Sequence, residues 1–261
     1  MKESPNKNQT ANRRTFLQQT GGLAVGLASV GGFTSTAVAT NGQSPGTDEV
    51  GITNTVQNLT QQGKFKQAKQ LLEKHDVQYD HDHISVVIPN DKSSDGVSTR
   101  EVFNDEKSTF DFFGYAVSKP LYTVELRWDL HPRYPESDCP RPNDGTGISW
   151  SDSNWEFEPN SQNLSEYCEN FDPNPEGTIG EWDDRAAYGD NGDTKGHHVI
   201  GLEKQQSGAH TVYGHYIYSY TNYCDAASFI SFGISAGGFS ISTSSGNGLD
   251  SWKVTPQTIE I

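Results

Sequence analysis

From Val77 onward the apolar residues recur at every second position, and this period of two is the strongest constraint on the fold. Between Thr123 and His131, Val, Leu, Trp and Leu alternate with Glu, Arg, Asp and His, which predicts a half-buried strand. Eight further segments are typical of strands: 84–88, 147–150, 155–158, 198–203, 210–220, 227–234, 239–243 and 252–261. Because no helical pattern separates them, we expect an antiparallel β-sandwich, jelly-roll or Ig-like, over residues 77–261.

One helical pattern precedes the strands. Its apolar residues recur at intervals of three and four, and they are Val56, Leu59, Phe65, Ala68, Leu71 and Leu72. Gly63 divides the pattern, so we expect a short helical hairpin over residues 51–76, docked on the main domain with its lysines in solvent. Residues 40–50 are polar, with Gly and Pro, and predict a flexible leader.

The stretch from Asp138 to Asp193 is rich in Gly, Pro, Asn and Asp, which predicts long surface loops. Loops on a rigid scaffold are where binding residues concentrate. Glycine-rich turns are also expected at residues 235–238 and 204–208, where they would join neighbouring strands into hairpins.

The N-terminal segment resembles a twin-arginine export signal. Arg13 and Arg14 are followed by Phe16 and Leu17, by a glycine-rich apolar run at 21–33, and by Ala-Val-Ala ending at Ala39. The resemblance implies the twin-arginine translocase as a partner, residues 1–39 as the signal peptide, cleavage after Ala39 and an extracellular location. The apolar run is shorter than the roughly 20 residues that span a bilayer, so no stable membrane insertion is expected.

The charge of the mature chain is strongly negative. Cleavage after Ala39 leaves 15 basic and 33 acidic residues, a net charge of −18. Such self-repulsion opposes compaction at low salt, whereas molar salt shortens the Debye length to about 3 Å. Acidity therefore indicates adaptation to high salt and argues against nucleic acid as a partner. Together, signal and acidity resemble the twin-arginine-exported secreted proteins of halophilic archaea, a group that implies export but no particular reaction.

The densest aromatic cluster lies in the segment 213–223. Tyr216, Tyr218 and Tyr220 share one face of the expected strand, where they form either a core stripe or an exposed platform for sugar rings. Trp182 falls in the acidic loop region, so we expect it to be an exposed contact. These four residues are the candidate ligand-binding residues, with polysaccharide or a cell-surface component as the ligand.

Two glutamates are the candidate catalytic residues. Glu156 and Glu158 lie on one face of a predicted strand, about 7 Å apart, within the span used for glycoside hydrolysis. If Trp155 and Phe157 face the core, however, both carboxylates simply face water. No third acid lies in register along this strand, because the preceding alternate residue is Asn154.

Metal binding and a disulfide are further possibilities. His81 and His83 could present two imidazoles on one strand face, and Asp190 and Asp193 could offer oxygen ligands. Neither pair belongs to a recognised ligand motif, so we expect structural roles and no cofactor. The cysteines are Cys139, Cys168 and Cys224. We favour a Cys139–Cys168 disulfide, which would close a loop of about 28 residues and restrict the unfolded chain.

The leading interpretation is a secreted, salt-adapted binding or structural protein that recognises polysaccharide or cell-surface components without catalysis. Two alternatives from other classes stay open. One is a secreted glycan hydrolase that uses Glu156 and Glu158, and the other is a secreted, halocin-like antimicrobial protein.

Overall fold

A computed structural model describes residues 47–86, 102–103, 108–130, 132–133, 143–184, 186–187, 195–221, 230–243, 249–254 and 256–261 of the 261-residue chain. In chain order its elements are α1 (Thr47–Gln61), α2 (Phe65–Lys74), β1 (Tyr79–Val86), β2 (Val102–Phe103), β3 (Ser108–Ser118), β4 (Leu121–Asp129), β5 (Pro132–Arg133), β6 (Asp144–Trp150), β7 (Trp155–Phe157), β8 (Asn163–Leu164), β9 (Cys168–Asn174), β10 (Gly177–Trp182), β11 (Lys195–Lys204), β12 (Thr211–Thr221), β13 (Ile230–Ser235), β14 (Gly238–Thr243), β15 (Leu249–Lys253) and β16 (Gln257–Glu260). The predicted mainly β, antiparallel fold with an N-terminal helix pair is confirmed.

Two larger sheets form the body of the molecule. The first sheet has the order β1-β3-β4-β11-β7, with β8 also paired to β11. The second has the order β15-β12-β6-β10-β9, with β16 also paired to β12. Strands β13 and β14 form a separate two-stranded ribbon, which we name the β-hairpin, and β2 pairs with β5.

The two sheets pack face to face through aromatic side chains. Tyr216 of the second sheet lies 5.1 Å from Phe110 and 5.3 Å from Trp128 of the first, measured between ring centroids. Trp128 also meets Trp182 edge to face at 5.5 Å. All four side chains are buried, and large aromatic rings bury 150–250 Å² each, so this layer supplies much of the hydrophobic stabilisation.

The helices cover part of the outer face of the first sheet. Val56, Ala68 and Leu72 are fully buried and pack with Phe113 and Tyr115 of β3. Gly63 adopts φ +68° in the connection between the helices, a conformation that suits glycine. This confirms the predicted division of the helical hairpin.

Two sequence-based expectations about loops were wrong. Helix α1 begins at Thr47, so the end of the predicted leader is helical. Strands β9 and β10 lie within the predicted loop region. The glycines and polar residues of β10 are typical of a loop, although five of its six residues are buried.

Side chains of β1 also link the two sheets along one edge. The Asp80 carboxylate accepts a hydrogen bond from the Glu260 backbone N–H at 2.8 Å, and the Asp82 carboxylate accepts one from Thr258 at 3.2 Å. Gln257 donates from Nε2 to the Phe110 carbonyl oxygen at 2.9 Å. The first two bonds satisfy backbone N–H groups of β16, and the third satisfies a carbonyl group of β3.

Candidate functional site

A row of ionisable side chains crosses the outer face of the first sheet. In the strand register His83 lies opposite Asp111, Asp111 opposite Arg127, and Arg127 opposite His197. Directly opposed residues share one face of a sheet. The inner face at the same strands carries aromatic and aliphatic core residues.

At one end of the row two imidazoles converge on one carboxylate, and we name His81, His83 and Asp111 the imidazole–carboxylate cluster. His81 Nε2 and His83 Nδ1 each lie 2.8 Å from Asp111 Oδ1. The His83 side chain is 49% exposed, whereas those of His81 and Asp111 are 9% and 13% exposed. Phe65 of α2 stacks on the His81 ring at 4.7 Å. The cluster thus offers solvent a polar donor–acceptor group beside a half-buried aromatic ring.

The centre of the row is a buried ion pair that fastens the helices. Glu125 Oε2 lies 2.8 Å from Arg127 Nε and 2.7 Å from its Nη2. Tyr115 donates to Glu125 Oε1 at 3.0 Å, and Thr60 of α1 donates to Oε2 at 2.7 Å. Burial and the Glu125 charge raise the pKa of Tyr115 well above its usual value.

The alternation at 123–131 predicted a half-buried strand, but β4 is buried on both faces here. Glu125 is 0% exposed and Arg127 is 7% exposed. The reason is the helical hairpin, which covers the polar face and brings Thr60 onto Glu125. A strand pattern alone contains no information about such a second layer.

Two adjacent histidines of β11 point to opposite faces. His197 lies on the outer face, where its Nε2 is 3.4 Å from Asn163 Oδ1. His198 lies on the inner face between the hydroxyls of Thr146 and Thr178, each 3.1 Å away. Burial lowers the pKa of both to about 3, with help from Arg127 at His197 and from His197 at His198. Both imidazoles are therefore neutral at neutral pH.

At the other end of the sheet lies a second group, Glu156, Glu158 and Glu203, which we name the carboxylate trio. Glu203 of β11 pairs directly with Glu156 of β7. Glu156 is exposed and accepts a hydrogen bond from Gln205 at 3.2 Å, whereas Glu158 is only 8% exposed. Burial, Glu203 and Glu156, in that order, raise the pKa of Glu158. Sequence reasoning missed Glu203 because it searched along one strand, and cross-strand register is invisible there.

For the tyrosines whose side chains are described, the structure shows the core stripe and not the exposed platform, and the expected exposure of Trp182 is wrong. Tyr216 and Tyr218 are 1% exposed and Trp182 is 0% exposed. Tyr216 finds its hydrogen-bond partner inside the core, donating to the Asp144 carboxylate. Trp182 faces inward because the period of two on β10 places it with the core layer. Tyr220 lies on β12, but its side chain is outside the described residues.

The metal candidates have separate outcomes. His81 and His83 do share a strand face, but their nitrogens engage Asp111. Among the described residues, no group of three or more His, Cys, Asp or Glu is arranged to hold a metal ion. Asp190 and Asp193 lie outside the described residues.

The predicted Cys139–Cys168 disulfide is not formed in the structure. Cys168 is a free thiol whose sulfur lies beside Gly180 and Thr146, and burial raises its pKa to about 12. Because the thiol packs inward at the start of β9, it contributes to the packed interior. Cys139 and Cys224 lie outside the described residues.

The export signal, including Arg13, Arg14, Phe16, Leu17 and Ala39, also lies outside the described residues. Neither described helix is long and apolar enough to cross a bilayer. Comparison with known proteins found no matching protein family and no significant match among curated proteins.

Proposed function

We propose that this chain is exported by the twin-arginine translocase and acts outside the cell as a salt-adapted binding protein for polysaccharide or cell-surface components. The contact surface in this proposal is the outer face of the first sheet, at the imidazole–carboxylate cluster. The observation that carries the proposal is the convergence of two imidazoles on Asp111 with His83 half exposed.

The chemistry of the cluster suits a polyhydroxylated ligand. A carboxylate accepts hydrogen bonds from neighbouring hydroxyls, and an imidazole offers a donor and an acceptor. Phe65 supplies an adjacent apolar ring edge for the face of a sugar. Such contacts act at short range, so they persist in molar salt, where attraction between distant charges is screened.

A glycan array and pull-downs with isolated cell envelopes, both in molar KCl, test this proposal. Wild-type protein should bind a subset of glycans, and Asp111→Asn should weaken that binding at least about tenfold, the value of one charged hydrogen bond. Asp152→Asn is the matched control, because Asp152 is exposed in the loop after β6. Failure to bind any glycan or envelope, or equal binding by both variants, would contradict the proposal.

A second candidate, a secreted glycan hydrolase, is favoured by the raised pKa of Glu158 beside two other carboxylates. Glycoside hydrolysis needs one protonated and one ionised carboxyl group. In this alternative Glu158 donates the proton to the leaving oxygen, and Glu156 acts as the ionised partner. Glu203 raises the pKa of Glu158 and acts as a positioning residue.

Release of reducing sugars from polysaccharides tests the hydrolase. Glu158→Gln should abolish release. Glu203→Gln should move the basic limb of the pH–rate profile to lower pH, because the Glu203 charge that raises the pKa of Glu158 is removed. Glu166→Gln, at an exposed position, is the matched control. Unchanged release in Glu158→Gln would remove this candidate.

Export and salt adaptation have tests of their own. Replacing Arg13 and Arg14 by Lys should retain the precursor inside a halophilic host, detected by immunoblot of cells and medium. The mature protein, with net charge −18, should gain unfolding free energy as KCl rises to molar concentrations. Equal stability in dilute buffer and in molar KCl would contradict the salt-adapted interpretation.

A further inference from the structure

The β-hairpin lies on a floor of glycines on the outer face of the second sheet. A Cβ atom added at Gly145 would come within 2.3 Å of the Phe232 ring, and one at Gly177 within 2.7 Å of Ile234. At Gly147 it would be 3.0 Å from both Ile234 and Phe239. The missing side chains of β6 and β10 thus form a slot that apolar side chains of the β-hairpin fill.

The opposite face of the β-hairpin is polar. Its outward positions are exposed, and they are Ser231, Gly233, Ser235, Ser240 and Ser242. Its strands pair with each other and with no strand of the two larger sheets among the described residues. A ribbon of this kind is held by the side chains beneath it and can open without breaking a sheet.

Two described hydrogen bonds join the β-hairpin to the second sheet. The Gly237 backbone N–H donates to Ser149 Oγ at 3.1 Å, and Lys253 Nζ donates to the Phe239 carbonyl oxygen at 3.1 Å. Ser149 Oγ in turn lies 2.8 Å from His215 Nε2. In the Nδ1–H tautomer of the neutral imidazole, Ser149 donates to Nε2 and accepts from Gly237, so the Ser149 hydroxyl acts as donor and as acceptor.

His215 is covered by the β-hairpin itself. Its ring stacks on Phe239 at 5.6 Å and lies 6.4 Å from the parallel ring of Tyr213. His215 is 3% exposed, and Lys253 is the charged group that acts on it. Burial, then the Lys253 charge, lower its pKa to about 4. Protonation would place a buried cation under an aromatic lid beside another cation, and Nε2 would no longer accept from Ser149.

We propose that the β-hairpin is an acid-released cover, which closes over the glycine floor while His215 is neutral and lifts when His215 binds a proton. Lifting returns His215 to water and opens a slot lined by Gly145, Gly147, Gly177 and Ser149. The device is independent of the proposed glycan contact on the first sheet.

The size of the effect follows from proton linkage. If lifting restores the ordinary pKa of 6.5 from about 4, the ratio of open to closed molecules rises about 100-fold between pH 7 and pH 4. The sign is fixed by the lowered pKa. The closed state binds the proton less tightly, so closure is fully favoured above pH 6.5 and is lost as pH falls toward 4.

Hydrogen-exchange mass spectrometry of the mature protein in molar KCl tests the proposal. After correction for intrinsic exchange rates, peptides covering 230–243 should lose about 100-fold protection between pH 7 and pH 4. Peptides covering β3 in the same sample report global unfolding, and their protection should stay higher than that of 230–243 at both pH values, because the β-hairpin opens without global unfolding. Equal protection in the two regions, or no loss in 230–243, would overturn the proposal.

Two variants separate the titration of His215 from simple loosening. His215→Gln keeps a partner for Ser149 but does not titrate, so the exchange of 230–243 should become nearly independent of pH. Ser149→Ala removes the link to Gly237, so the β-hairpin should open more at every pH while keeping the pH dependence. A full pH response in His215→Gln would contradict the assignment to this histidine.

Discussion

The two sheets carry covers of opposite character on their outer faces. The helical hairpin lies on the first sheet over a buried ion pair between Glu125 and Arg127. Thr60 of α1 donates a hydrogen bond to Glu125 of this pair. The β-hairpin lies on the second sheet over Gly145 and its neighbours and a neutral histidine. The helical hairpin is held by a hydrogen bond to a buried ion pair, whereas the β-hairpin is held by close packing of its apolar side chains on glycines.

This difference teaches what each face can do. A buried ion pair is costly to break because the surviving charge stays unpaired, so the helical cover should be permanent. Shape complementarity with a titratable group beneath it gives a cover that a proton can release. In the two proposals, the first sheet keeps a fixed polar surface for recognition, while the cover on the second sheet opens in acid.

The largest expected effect comes from breaking the buried ion pair. Glu125→Leu should lower the unfolding free energy by about 3–5 kcal/mol, because Arg127 keeps its charge without a counterion. Urea denaturation in molar KCl measures it. The double variant Glu125→Leu with Arg127→Met should recover most of the loss. A single variant as stable as wild type would show that charge does not fasten the helical cover.

The next effect concerns the histidines of β11. Both have a pKa lowered to about 3 in the folded state, so their contribution is complete above pH 6.5 and is lost as pH falls toward 3. At pH 5 the loss should be about 2 kcal/mol for each buried histidine. His198→Asn should reduce the slope of unfolding free energy against pH. An unchanged slope would mean that His198 is accessible to protons without unfolding.

A smaller effect is expected at the glycine floor. Gly145→Ala places a Cβ 2.3 Å from the Phe232 ring and should destabilise docking of the β-hairpin by about 1–3 kcal/mol. Phe232→Ala in the same chain should relieve the clash. Gly51→Ala is the control, since nothing lies within 4 Å and alanine favours a helix. Full protection of peptides 230–243 in Gly145→Ala would contradict the close fit.

The smallest effect should come from an exposed ion pair on the first sheet, between Lys195 and Asp129. Lys195 Nζ lies 3.4 Å from Asp129 Oδ2, and its side chain is 66% exposed. Lys195→Met should change the unfolding free energy by less than about 1 kcal/mol. Measured beside Glu125→Leu, it shows how much of the first effect comes from burial. If Lys195→Met lowered the unfolding free energy as much as Glu125→Leu does, burial would not explain the strength of the Glu125–Arg127 pair.

Sequence reasoning predicted what local pattern determines. The alternation around Trp128 located β4 and its buried face, and Gly63 located the break between the helices. It also placed His81 and His83 on one face. These features depend on residues a few positions apart, so spacing alone reveals them.

What the sequence could not reveal depends on contacts between distant segments. Asp111 and Glu203 complete their clusters across strand ladders whose register is not local. A strand was predicted at 147–150, but nothing in the sequence shows that the glycines of β6 form a floor for the β-hairpin. The sequence left Tyr216 open between the core and an exposed platform and predicted an exposed Trp182, because a sequence does not show which face of a strand another sheet covers.

The most direct test of the central claim, that recognition takes place on the outer face of the first sheet, is a hydrogen-exchange footprint of the protein bound to the tightest glycan of the array, in molar KCl at pH 7. We predict added protection in β1 and β3, around His83 and Asp111, and none in the β-hairpin. Added protection confined to the β-hairpin and the second sheet would contradict the account.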